Sequence, residues 1–181
     1  RHCRIHDNQA DGLYLFSFGI TPLLEDTQID HNGGIAVHQL TANMAPVYRR
    51  LSANANGTDA VVMAGGFFTE DRSWHFGEAG IPIQIDGSLQ IPAGKYLALE
   101  PGSELRFLAN SNISVSGSLF ALGAPTRPIT FTAQPQQPGI WQGIEVIIGG
   151  SAILRYCDIS YAGQFGAANF RTTTDDTVLQ A

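Results

Sequence analysis

Apolar and polar residues alternate along this chain in runs of four or five, and Gly, Asn, Asp and Pro separate the runs. "YLALE" (96–100) sets Leu97 and Leu99 on one face, and "ITFTA" (129–133) does the same with Ile129 and Phe131. "SLQI", "ELRF", "ISVSG" and "SLFAL" follow the same rule. A two-residue period places every second side chain on one face of a strand. No long stretch carries apolar residues at i, i+3, i+4 and i+7. The pattern predicts short strands joined by turns, an all-β fold.

The strands also repeat. "CRIHDNQADGLYL" (3–15), "TQIDHNGGIAV" (27–37) and "RLSANANGTDAVV" (50–62) each show an aliphatic residue, an Asn three positions on, a Gly, and then a second apolar pair. The anchors are Ile5, Ile29 and Leu51; the Asn positions are Asn8, Asn32 and Asn54; both series step by 24 and then 22 residues. "CDISYAGQFGAANF" (157–170) keeps the aliphatic residue as Ile159 and puts Ala162 where the Asn would be. A period of about 20–25 residues built from strands and turns is one coil of a β-solenoid. One coil cannot bury its own inward side chains. Stacked coils pair in parallel at ~4.8 Å, and like residues lie on like. Asn suits the turn between strands, because it tolerates the left-handed conformation and its amide can bond the next Asn in the stack. Ile5, Ile29, Leu51 and Ile159 are the expected core stack; Asn8, Asn32 and Asn54 are the expected turn ladder.

The second half has a different texture. "GSLQIPAG" (87–94), "LEPGSELRF" (99–107), "VSGSLFALG" (115–123), "RPITFTA" (127–133), "PGIWQGI" (138–144) and "LRYCDISYAG" (154–163) occur in that order. These pieces resemble the leading segment of bacterial right-handed parallel β-helix domains of the broad pectate-lyase-like superfamily, of the non-enzymatic surface type. The resemblance implies a right-handed parallel β-helix (β-solenoid) of about seven coils, rising roughly 34 Å at ~4.8 Å per coil, with uncapped ends. It implies nothing specific about activity, since this fold carries many functions. We expect one unit over 1–181: Asn-type coils in 1–66, an irregular aromatic loop in 67–80, and the leading segment with further coils in 81–181.

In relatives of this kind the leading segment precedes the Asn-type coils; here it follows them. Placing "TDDTVLQA" (174–181) before "RHCRIHDNQADGLYL" (1–15) yields one uninterrupted coil in phase with "SAILRYCDISYAG". The expectation is a tandem array, or separate chains stacked head to tail, in either case an open heterologous interface. Cys3 and Cys157 each lie two residues before the coil's Ile. Across such a join they are 27 residues apart, about one coil, so Cys157 would face Cys3 of the next unit within the ~4.4–6.8 Å Cα range of a disulfide. A covalent staple, a stacked thiol pair and two small buried hydrophobes all fit.

Charge narrows the partners. With 16 acidic against 10 basic residues, net −6, the chain lacks the basic surface that non-specific nucleic-acid binding requires. No apolar run reaches the ~18 residues of a membrane span, and no targeting segment is visible. Glu25-Asp26 and Asp175-Asp176 are adjacent acidic pairs without a basic partner motif for lyase or hydrolase chemistry. His6 and His31 should stack against Asp30 and Asp7; we read them as opposite-type neighbours on a strand end rather than metal ligands. His38 and His75 look isolated. The expected function is a non-catalytic structural subunit or repeat unit of an extracellular or cell-surface filament. Its expected partner is itself, with polysaccharide a second candidate, and no cofactor or metal is called for. Alternatives are a polysaccharide-active β-helix enzyme, and a surface adhesin or carbohydrate-binding module whose 67–80 loop faces outward.

Overall fold

The computed structural model describes residues 2–16 and 21–173, together with the backbone of 178–180. The chain winds through about seven turns of a parallel β-solenoid. Coil one holds β1 (Arg4–His6), β2 (Leu13–Leu15) and β3 (Leu23–Glu25), and coil two holds β4 (Gln28–Asp30), β5 (Ile35–Gln39) and β6 (Val47–Arg49). Coil three holds β7 (Ser52–Asn54), β8 (Thr58–Phe67) and β9 (Arg72–Glu78), and coil four β10 (Ile83–Ile91) and β11 (Tyr96–Leu99). Coil five holds β12 (Glu104–Phe107), β13 (Ile113–Val115) and β14 (Ser118–Leu122), and coil six β15 (Ile129–Ala133), β16 (Ile144–Val146) and β17 (Ser151–Arg155). Coil seven holds β18 (Cys157–Ile159), β19 (Phe170–Thr172) and β20 (Val178–Gln180).

Each strand pairs in parallel with the strand one coil away, and like residues stack. One inward column runs the length of the solenoid: Leu13, Val37, Val61, Ile83, Leu105, Phe131 and Ile159 are successive register partners. The alternation that marked "ITFTA" and "YLALE" is the alternation of this column with the outer surface.

The cross-section changes once. β1, β4 and β7 form a three-stranded sheet of their own, and the corner at Glu78–Ala79 closes it by accepting hydrogen bonds from Arg50 and Leu51. From coil four onward a new face opens, because the second halves of β8 and β10 pair with each other and then with β13, β16 and β19. The register slips between Asp86 and Leu89 at this change. Gly65 permits it: a Cβ there would lie 2.5 Å from the Ser88 carbonyl oxygen, so only glycine lets the two backbones approach.

This face change corrects the expected core stack. Ile5 and Ile29 are register partners, but the third member of their column is Ala53, not Leu51. Leu51 is buried two residues earlier, level with Thr27. Ile159 packs on Phe131 in the long column instead. The step through coils one to three is a constant 24 residues; "L-S-A-N" imitates "I-x-x-N" two residues out of phase.

The 67–80 segment is not an irregular loop. Its residues Arg72–Glu78 form β9 with strict alternation, and Phe68, Trp74 and Phe76 are buried. Trp74 packs against Phe68 and Phe76, with ring centroids 5.7 and 5.3 Å away, and its indole N–H donates to the Met44 carbonyl at 3.1 Å. Burying aromatic faces while satisfying the one polar atom is the ordinary solution for a core Trp. Among the described residues no helix is long and apolar enough to cross a membrane.

Candidate functional site

The most regular constellation is a ladder of carboxamides along one corner. Asn8 donates to Asn32 Oδ1 from its backbone N at 3.1 Å and from Nδ2 at 2.7 Å. Asn32 repeats both bonds to Asn56 Oδ1, at 3.1 and 2.7 Å, and its Nδ2 also reaches the Ile5 carbonyl at 3.3 Å. The ladder thus consists of Asn8, Asn32 and Asn56. Asn54, expected as its third rung, sits exposed at the end of β7, level with Asp30. Asp59 terminates the ladder, accepting from Asn56 N at 3.0 Å and Nδ2 at 2.6 Å. Burial would push its carboxyl up, but the bonds from Asn56 and the Ala55 N–H outweigh that and hold it below the usual carboxylate range. Asp59 and Asn56 escaped the sequence reading. The signal was present: "NQAD" (8–11) and "NGTD" (56–59) share N-x-x-D.

The corners on either side of the ladder strands obey a fixed backbone rule. His2, Asp26 and Arg50 are left-handed (φ 55°, 50° and 50°), and so are the residues five positions on: Asp7, His31 and Ala55 (φ 58°, 53° and 58°). Left-handed backbone at non-glycine residues is uncommon, so its recurrence marks a conserved coil geometry. The same pair recurs once more, at Tyr156 (φ 49°) and Tyr161 (φ 60°) in coil seven. Segments 2–7, 26–31, 50–55 and 156–161 therefore share one frame, whereas coils four to six turn the corner differently. Within this frame Cys3, Thr27, Leu51 and Cys157 are equivalent, as are Ile5, Ile29, Ala53 and Ile159, and as are Asn8, Asn32, Asn56 and Ala162.

Coil seven has lost the ladder's Asn. Ala162 N donates to Asn169 Oδ1 at 3.1 Å, seven residues on in its own coil, whereas Asn8 N and Asn32 N donate to the carboxamide of the next coil. Edge polarity nevertheless matches. β18 bonds coil six through the Tyr156 carbonyl and the Ser160 N–H. In a parallel ladder alternate residues bond to opposite sides, so the Cys157 carbonyl and Tyr161 N–H point away from coil six. These are the equivalents of the Cys3 carbonyl and Asp7 N–H, with which coil one bonds coil two.

The cysteines occupy the corner position of this frame. Cys3 is exposed and Cys157 half-buried. The Cys157 thiol faces inward and lies against the Ala121 and Arg155 carbonyls at 3.3 and 3.4 Å. Burial pushes it up to about 11, against hydrogen bonds with Arg155 and Gly123.

Of the histidines, His6 lies level with Asp30 but meets its own neighbour Asp7, 2.6 Å from Nδ1 to Oδ2; Asp30 takes Arg4 Nε at 3.2 Å. His38 is not isolated: its Nδ1 lies 2.8 Å from Asp11 Oδ2, and the ring of Tyr14 stands at right angles 5.0 Å away. Glu25 and Asp26 both bind Arg50, at 2.9 and 2.6 Å. Asp175 and Asp176 lie outside the described residues. Among the described residues no three His, Cys, Asp or Glu side chains gather closely enough to hold a metal ion. No family model matches the chain, and neither a curated protein nor a solved structure is significantly similar to it.

Proposed function

We propose that this chain is a structural unit of an extended β-solenoid, a filament at the cell surface or outside the cell, in which coil one of one copy stacks on coil seven of the previous copy. The copies are separate chains or adjoining segments of a longer one. The observation that carries this reading is the shared frame of 2–7 and 156–161. Coil two pairs with coil one by laying 26–31 on 2–7; a second copy lays its own 2–7 on 156–161 by the same bonds. The join sets Ile5 over Ile159. It also sets basic Arg4 over acidic Asp158. Parallel edges of this kind are templates for further strands, and a heterologous join that does not close on itself propagates. In this reading the unit is not an enzyme and takes no cofactor, and the resemblance to bacterial β-helix repeat proteins is one of architecture.

Electron microscopy and light scattering of the 181-residue chain test the proposal. Fibres with an axial repeat near 34 Å, seven coils at ~4.8 Å, are expected. A chain that stays monomeric at millimolar concentration refutes it.

A carbohydrate-binding surface is the second reading. It is favoured by exposed Tyr14 and Phe16, stacked 6.2 Å apart beside the His38–Asp11 pair, since flat aromatic rings are ready faces for sugars. Glycan-array binding that Tyr14→Ala abolishes would support it.

A further inference from the structure

We infer that Cys157 of one copy and Cys3 of the next form a disulfide across the coil join, a covalent lock on the assembly. This rests on the stacking reading and adds to it a bond, a redox dependence and a direction.

The inference starts from the corner position that Cys3, Thr27, Leu51 and Cys157 share. Where a further coil covers this position, the side chain goes into the interior: Thr27 is 5% and Leu51 3% exposed. The parity agrees, since Cys157 is the register partner of buried Ile129 and lies two residues before inward-facing Ile159. Cys3 stands in the same relation to Ile5, whose partner is buried Ile29. The chain has only two cysteines. They fill this position in the first and the seventh coil, and the two covered coils carry Thr and Leu there instead. Stacking therefore brings the two sulfurs to adjacent rungs on the same inward side. Facing residues of neighbouring parallel strands have Cα atoms ~4.8 Å apart, inside the disulfide range of ~4.4–6.8 Å.

The chemistry balances with a small disulfide as oxidant. The exposed Cys3 thiolate attacks it, forming a mixed disulfide and expelling one small thiol. Cys157 then loses its proton to solvent and attacks the Cys3 sulfur, expelling the second. The two protein thiols lose two electrons and two protons, and the small disulfide gains them as two thiols. Cys157, half-buried and reluctant to ionise, is suited to the second step, while Cys3 is accessible for the first.

The test is to oxidise the assembled chain with glutathione disulfide and run it on a denaturing gel without reductant. A ladder of dimers, trimers and higher species that dithiothreitol collapses to monomer is expected. Cys3→Ser and Cys157→Ser variants should each give no ladder, and a mixture of the two should give a dimer and nothing larger. Covalent dimers from the Cys157→Ser variant alone, which can only be Cys3 to Cys3, would overturn the inference. So would fibres visible by microscopy that never become cross-linked; that result leaves the stacking reading standing. If neither the wild-type chain nor the double Cys3→Ser, Cys157→Ser variant forms fibres, both readings fall together.

Discussion

Asn32 Nδ2 donates to Asn56 Oδ1 at 2.7 Å, the same bond, at the same length, that joins Asn8 to Asn32. Asn32 is only 2% exposed, so it is both the middle rung and the sole link between its neighbours. Asn32→Ala removes the acceptor of two Asn8 donors and the donor to Asn56 and Ile5. Leaving buried polar groups unpaired costs about 1–3 kcal/mol, and we expect a loss of about 2–3 kcal/mol in denaturant unfolding. Asn54→Ala, at the exposed neighbour, should stay within about 0.5 kcal/mol of wild type.

Asp59 makes the ladder sensitive to acid. Its folded carboxyl lies below the ordinary value of 3.8. A depressed carboxyl contributes stability that is fully present above its unfolded value and is lost as pH falls through the folded one. Asp11 is shifted in the same direction: burial opposes, but the Ile35 N–H and His38 prevail. Thermal unfolding should therefore be flat in this contribution above about pH 5 and decline below pH 3.8. Asp59→Asn should weaken that decline. An unchanged acid limb in the variant would remove Asp59 from the account.

The architecture was legible in the sequence because a solenoid writes its period directly into the chain. Alternation marked the strands, and the Ile5–Ile29 step of 24 residues marked the coil. Legibility failed where two signals of equal strength competed. Leu51 and Asn54 imitate the motif two residues early, and only the hydrogen bonds of Asn56 and Asp59 fix the true phase. It failed again at 67–80, where clustered aromatic residues suggested an irregular loop although Arg72–Glu78 alternate as plainly as any other strand. Ile159 could not be assigned to its column at all from its motif, because the face change in β8 and β10 is made by backbone approach at Gly65. The left-handed corners are carried by His, Asp, Arg, Ala and Tyr, a set with no common side-chain signature, so their recurrence is visible only in the backbone, whereas the frame shared by coils one and seven was legible from Cys3 and Ile5 against Cys157 and Ile159.

Trp141 ties coil seven to the core. It is fully buried, lies 4.2 Å from Phe107 with the rings 7° from parallel, and donates to the Ser160 carbonyl at 2.9 Å. Trp141→Phe keeps most of the stacking and orphans that carbonyl, at a cost of about 1–3 kcal/mol. Trp141→Ala opens a cavity and should cost about 3–5 kcal/mol. Hydrogen exchange should show Trp141→Phe acting locally, with amides of 157–162 losing protection while those of β4 and β5 keep it.

Charge at the join separates stacking from general stickiness. Arg4 and Asp158 are equivalent outward positions of the shared frame, and stacking sets them on adjacent rungs. Arg4 already meets Asp30 of coil two at 3.2 Å, so in an assembled solenoid it would stand between two carboxylates. Asp158→Arg replaces one of them with a like charge and alters no bond within the unit that carries the fold. An exposed ion pair is worth at most about 1 kcal/mol, which corresponds to roughly a fivefold rise in the critical concentration for fibre growth. The monomer's unfolding curve should not move. Added salt should narrow the gap, since screening weakens exposed pairs beyond about 10 Å at 0.1 M and further at higher strength. Sedimentation of fibres across a concentration series, at low and high salt, measures both effects. Equal critical concentrations for the two proteins at low salt would show that coil one does not sit on coil seven in this register.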